Sequence, residues 1–88
     1  MANPNEIDLN IVVNGQPVAV KGNMHAPLHT VIQHALEQSG NSGQPAENWQ
    51  LRDGAGQVLD PARKIEDFHF SPGVTLFLNL MAGVGGAR

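Results

Sequence analysis

Ile7, Leu9, Ile11 and Val13 fall at alternate positions and run straight into Asn14-Gly15, and this junction constrains the fold more than any other part of the chain. A period of two is that of a strand with one buried face. Asn-Gly supplies the positive φ angles of a two-residue hairpin turn. The chain is therefore predicted to double back at once, with Gln16 to Lys21 returning antiparallel and Val18 and Val20 inward. Pro17 lacks an amide donor and fits an edge strand near its start.

The apolar period then changes from two to about 3.6. Leu28, Val31, Ile32, Ala35 and Leu36 recur at helical spacing and predict a single helix with one buried face. Its start has two readings, because Thr30 and Gln33 have capping-box spacing while Pro27 equally suits a first turn. Ser39-Gly40-Asn41 carries the residues on which helices stop, and Ser42 to Pro45 reads as loop. Trp49 and Leu51 read as a short strand, Asp53-Gly54-Ala55-Gly56 as a turn, and Val58-Leu59 as a second short strand pairing back. Ile65, Phe68 and Phe70 suit a short helical turn or buried corner in which His69 packs, and Ser71-Pro72-Gly73 turns the chain. From Val74 to Leu80, four apolar residues (Val74, Leu76, Leu78 and Leu80) share one face. That strand is expected to lie centrally beside the first and parallel to it, which makes the helix a crossover.

These elements predict an α+β domain of two layers, a mixed sheet of four to five strands with one main helix across it. Residues 7–80 form the expected domain, between a flexible N-terminus, 1–6, and a flexible tail, 81–88.

Composition narrows the function classes. At 88 residues the chain makes one domain, short for a deep catalytic cleft. With no cysteine it has neither a disulfide framework, a thiolate zinc site nor a cysteine nucleophile. A formal charge of −3 on five cations and eight acids offers no footprint for nucleic acid or an anionic membrane. The N-terminus has no secretion-signal pattern and no apolar run is long enough to span a bilayer, so a cytoplasmic monomer is the expectation. Asp53, Glu66 and Asp67 stand without a nucleophile or paired base, which argues against acid–base catalysis and for a solvated face. His25, His29 and His34 cluster near the helix start, but no acidic neighbour in sequence completes a metal sphere. They read as surface or cap histidines.

The order hairpin, helix, short strand, corner and final strand is that of the β-grasp fold. Ile65-Glu66-Asp67-Phe68 before Ser71-Pro72-Gly73-Val74-Thr75-Leu76-Phe77-Leu78 resembles the corner and last strand of ubiquitin, and Gly85-Gly86 falls where ubiquitin has its diglycine. The resemblance runs from about Ile7 to Gly86 and is closest to the small bacterial ubiquitin-like proteins encoded beside activating-enzyme, conjugating-enzyme and peptidase homologues. It implies a modifier precursor whose Gly86 carboxyl is adenylated, passed to enzyme cysteines and joined to a target protein. The partners implied are an activating enzyme, a conjugating enzyme, a processing peptidase and the targets. The ATP consumed belongs to the activating enzyme, so no cofactor is expected on this chain.

Four features depart from the ubiquitin pattern. Ala87-Arg88 follow the diglycine and imply peptidase cleavage between Gly86 and Ala87; loss of Arg88 would leave four cations against eight acids, or −4. Met81 to Val84 lack the tail arginines, and Gln50 and Asn79 are polar near positions that contribute to ubiquitin's apolar recognition patch. Lys21 and Lys64 are the only lysines that offer acceptors for chain building.

Glycine is suited to such chemistry because it leaves the carbonyl unhindered and admits the backbone to narrow channels. Six residues from Met81 to Gly86 extend to roughly 20 Å, which keeps the domain outside an enzyme channel. Gln50, Arg52, Phe77 and Asn79 are the candidate partner surface on the outer sheet face, with ordinary sheet surface as the alternative. Two other classes stay open for the whole chain: a sulfur carrier with a C-terminal thiocarboxylate, and a β-grasp interaction module that is never activated.

Overall fold

A computed structural model describes residues 5–41, 43 and 45–81. The first hairpin forms where the alternation ends. Strand β1 spans Glu6–Val13 and β2 spans Gln16–Asn23, joined through Asn14 and Gly15 at φ 50° and 87°. Two successive positive φ angles fit the twist of the flanking strands. The pairing Val13↔Gln16 leaves only those two residues in the loop. β2 is two residues longer than predicted, ending at Asn23, and Pro17 lies on this outer strand as expected.

Helix α1, His29–Gln38, buries Val31, Ile32, Ala35 and Leu36, with Leu28 buried just ahead of it. Neither predicted start is used. Leu28 occupies the N-cap with no side-chain cap, and Thr30 Oγ1 instead donates to the Pro27 carbonyl at 2.8 Å. The leading amides are satisfied from elsewhere in the chain: Leu28 N–H donates to the Arg63 carbonyl at 2.8 Å and His29 N–H to the Pro61 carbonyl at 3.0 Å. The far end follows the predicted stop. Gly40 takes φ 78°, its N–H donates to the Glu37 carbonyl, and Asn41 N–H donates to the Leu36 carbonyl, a Schellman closure.

Strand β3, Trp49–Arg52, follows a 3₁₀ turn at Ala46–Asn48. The expected partner strand at Val58-Leu59 shrinks to an isolated bridge, Arg52↔Val58, with Leu59 N–H donating to the Leu51 carbonyl. Asp60-Pro61 follows immediately, and proline has no amide to extend a ladder. A second 3₁₀ turn, Ile65–Phe68, buries Ile65, as the corner reading expected. Phe68 and Phe70 stack with centroids 5.2 Å apart. His69 departs from expectation: it is exposed, at φ 56°, and caps the turn instead of packing. Histidine is among the residues enriched in this left-handed conformation, which β-branched and bulky residues resist.

Strand β4, Val74–Leu80, pairs parallel to β1 and antiparallel to β3. The sheet order is β2-β1-β4-β3, so the last strand is central as predicted and the sheet has four strands. Leu76 and Leu78 are fully buried, while Leu80, on the same face, is 38% exposed because it sits at the strand end. The inner face and α1 enclose a core of aliphatic side chains and Trp49, with no charged residue buried among the described residues. This is the β-grasp arrangement.

Candidate functional site

Because α1 covers one side of the sheet, the alternate residues of all four strands form an open outer face. Directly paired residues share a face, so the registers Pro17↔Val12, Val12↔Phe77 and Arg52↔Phe77 lay Pro17, Val12, Phe77 and Arg52 in one row across the sheet. Gln50↔Asn79 forms the next pair beside it. The structure therefore brings Gln50, Arg52, Phe77 and Asn79 together. Phe77 is 39% exposed, and the half-buried Val12 lies beside it as a second apolar residue.

Polar contacts hold the rim of this face. Arg52 Nη2 donates to Gln50 Oε1 at 2.8 Å and Nη1 to the Gly56 carbonyl at 3.1 Å, so the guanidinium is anchored between β3 and the loop after it. That loop is itself tied by Asp53 Oδ1, which accepts from the amides of Ala55 and Gln57 at 2.9 and 3.0 Å. On the other side, Asn10 Nδ2 donates to Thr75 Oγ1 at 3.4 Å, and Lys21 stands opposite Asp8 on the edge strand. Phe77 is thus an exposed aromatic set among oriented polar groups, and aromatic residues are enriched at protein interfaces. Val12 joins the four expected residues on this surface, turned outward by the same alternation that buries Ile11 and Val13.

The other candidates lie elsewhere. Lys64 is exposed ahead of the second 3₁₀ turn, its backbone bridged to Pro27. His29 and His34 are exposed on α1. His25 lies before the helix and meets residues remote in sequence: its Nδ1 is 3.6 Å from Glu66 Oε1 and its Nε2 3.3 Å from Asn5 Oδ1. Among the described residues no three His, Asp or Glu side chains converge as a metal set. No helix there is long and apolar enough to cross a membrane. Gly85, Gly86 and Ala87, the activation and processing positions, lie outside the described residues.

One core residue is chemically incomplete. Trp49 is only 4% exposed, yet its Nε1–H has no hydrogen-bond partner among the described residues. A buried unsatisfied donor costs about 1–3 kcal/mol and is rare in native proteins.

Residues 2–86 match the family described as Protein of Unknown function (DUF2604), a match that runs through the diglycine to Gly86. The chain belongs to that family. An uncharacterized protein, y4jI, of Sinorhizobium fredii (strain NBRC 101917 / NGR234) is 52% identical over 84 residues, which are 96% of this chain and 65% of that protein. The chain thus spans under two thirds of this relative's length. Among solved structures, a protein designed de novo on the basis of ubiquitin superposes with a TM-score of 0.76 at 23% identity, covering 97% of this chain and all of the design. The ubiquitin of Caldiarchaeum subterraneum superposes at 0.72 with 19% identity, covering 92% of this chain and 99% of that one. The fold is ubiquitin-like. In this DUF2604 member it is built from a four-stranded β2-β1-β4-β3 sheet and one helix.

Proposed function

We propose that this DUF2604 protein is a ubiquitin-like modifier, joined to target proteins through the carboxyl of Gly86. The observation that carries the reading is the placement of the diglycine: β4, the central strand of a ubiquitin-like sheet, ends at Leu80, and Met81 to Gly86 follow it directly. The chain acts as a substrate and its partners supply the catalysis. A peptidase hydrolyses the Gly86–Ala87 bond and frees the carboxylate. An activating enzyme lets that carboxylate attack the α-phosphate of ATP, expelling pyrophosphate and leaving an acyl-adenylate. An enzyme cysteine thiolate then displaces AMP to form a thioester, and a target amine or hydroxyl displaces the thiolate. Each step needs an unhindered acyl carbon, which glycine provides. The row of Val12, Phe77 and Arg52, with Gln50 and Asn79 beside it, is the surface by which those partners hold the domain.

The test is co-expression with an activating enzyme, a conjugating enzyme and a peptidase of the ubiquitin-like type, followed by intact-mass measurement. The expected products are a chain ending at Gly86 and adducts with the summed mass of chain and target less one water, both lost with Gly86→Val. Replacement of one oxygen by sulfur without adducts would overturn the reading in favour of a sulfur carrier. Unchanged biological activity of Gly86→Val would favour an interaction module that is never activated.

A further inference from the structure

Arg52, on the open sheet face, has a guanidinium that is exposed yet held in place. Its two contacts, to Gln50 Oε1 at 2.8 Å and the Gly56 carbonyl at 3.1 Å, are with neutral acceptors and leave other N–H groups of the fork unused. The ion pairs among the described residues join His25 to Glu66 and Arg63 to Asp67, so no carboxylate there engages Arg52. Phe77, 39% exposed, is its direct cross-strand neighbour, and the half-buried Val12 comes next in the row. From the row of Ala19, Asn10 and Thr75 to the hairpin-turn end, the strand residues of this face are uncharged except for Arg52. The acids of the face, Glu6 and Asp8, lie at the other end of β1, and Asp8 stands opposite Lys21. We infer that the turn end of this face docks a helix of a partner protein that presents a carboxylate one turn from a large aliphatic side chain. The carboxylate accepts from Arg52, and the aliphatic group covers Phe77 and Val12.

Charge selects the carboxylate. A chain of formal charge −3 repels an acidic partner over most of its surface, but this end of the face carries one charge and it is positive. Because the guanidinium is already oriented, it loses little freedom on taking a partner, and its fork matches a carboxylate. A nucleic acid would require several cations along its backbone, and this part of the face has one. The neighbours select the aliphatic group, since Phe77 and Val12 are apolar and adjoin Arg52 in the same row. Spacing and backbone chemistry select the helix. Directly paired residues have Cβ atoms about 4.5–5.5 Å apart, close to the roughly 5–6 Å between helical residues three or four apart. The backbone groups of β1 and β4 are bound to a strand on each side, so a partner lying on them must satisfy its own, as a helix does. Docking here rests on the reading of this face as the partner surface and not on activation at Gly86.

The test is selection against the full chain from a displayed library of alanine-based helical peptides of about 15 residues, randomised along one face. The expected motif is Asp or Glu three or four positions from Leu, Ile or Met. In a synthetic peptide carrying that motif, replacing the acid by its amide should weaken binding at least tenfold in titration calorimetry, a measurement that leaves the protein unaltered. Arg52→Glu should redirect the selection to Lys or Arg at the acidic position, which a merely structural tie to the loop at Gly56 would not do. The Gly86→Val chain should select the same motif as the parent, so a failure of conjugation and a failure of docking are read separately. Enriched sequences without an acid would overturn the inference, as would an unchanged motif on Arg52→Glu, equal affinity of the acid and amide peptides, or no enrichment at all.

Discussion

Replacing Gly22 by alanine tests how closely the helix lies on the sheet. Gly22 is buried on β2, and a β-carbon there would stand 2.8 Å from Val31 Cγ1 and 2.8 Å from Ile65 Cδ1. Carbon atoms pack best at about 3.5–4.0 Å, so both neighbours would have to withdraw. Ile65 offers the end of its side chain, but it is fully buried. Val31 is branched at Cβ and held in essentially one rotamer in a helix. Relief therefore requires α1 to lift from β2. Overpacking of this kind costs about 1–3 kcal/mol, and alanine recovers about 0.5–1 kcal/mol from the lower backbone entropy of the unfolded chain. The net destabilisation centres on about 1 kcal/mol, or about 4–8 °C in Tm for a domain of this size. Urea unfolding followed by Trp49 fluorescence should show a lower midpoint with an unchanged slope. The cost should shrink by about 1 kcal/mol when Gly22→Ala is introduced into a Val31→Ala background, because the obstructing methyl has gone. A midpoint equal to or above that of the parent chain, or a cost identical in both backgrounds, would refute the reasoning.

Two further substitutions separate backbone strain from surface function. Gly40→Ala meets no side chain but forces φ 78° on an L-residue, so it should cost about 1–2 kcal/mol in urea unfolding, with Gly40→Asn recovering part of the loss. Phe77→Ala, on the open face, should change stability by no more than about 1 kcal/mol, against about 2–5 kcal/mol for the fully buried Leu76→Ala. It should nonetheless weaken capture of the activating enzyme at least tenfold in a pull-down or titration calorimetry.

What the sequence reveals follows the range of the interactions involved. The first hairpin is legible because both its cause and its effect lie within Glu6 to Asn23: an alternation, then two residues that accept positive φ. The buried stripe of α1 and its Gly40 stop are local in the same sense. The helix start is not, since its amides are satisfied by Pro61 and Arg63, which no local pattern connects to Leu28 and His29. The same limit hid the His25–Glu66 contact, which joins residues far apart in the chain. Val58-Leu59 has strand-forming residues, but the proline just beyond it prevents a ladder, and one bridge forms in place of a strand. The outer-face residues could be grouped because register follows from alternation, and Gln50, Arg52, Phe77 and Asn79 do meet. The sequence pattern places Trp49 on a strand and says nothing of its indole N–H. A buried indole normally finds an acceptor, and its failure to do so here becomes visible only when every neighbouring atom is placed.

The parallel register of β1 and β4 gives the domain a direction. Because Leu9 faces Val74 and Val13 faces Leu78, the last strand leaves the sheet at the hairpin-turn end, while the first strand enters from the opposite end. Seven residue steps from Glu6 to Val13, at about 3.3 Å each, separate those two ends by roughly 23 Å. A fluorophore or affinity handle attached ahead of Glu6 therefore stands clear of whatever engages the chain beyond Leu80. Copies fused end to end would follow one another like beads on a thread, each presenting its own uncovered sheet face.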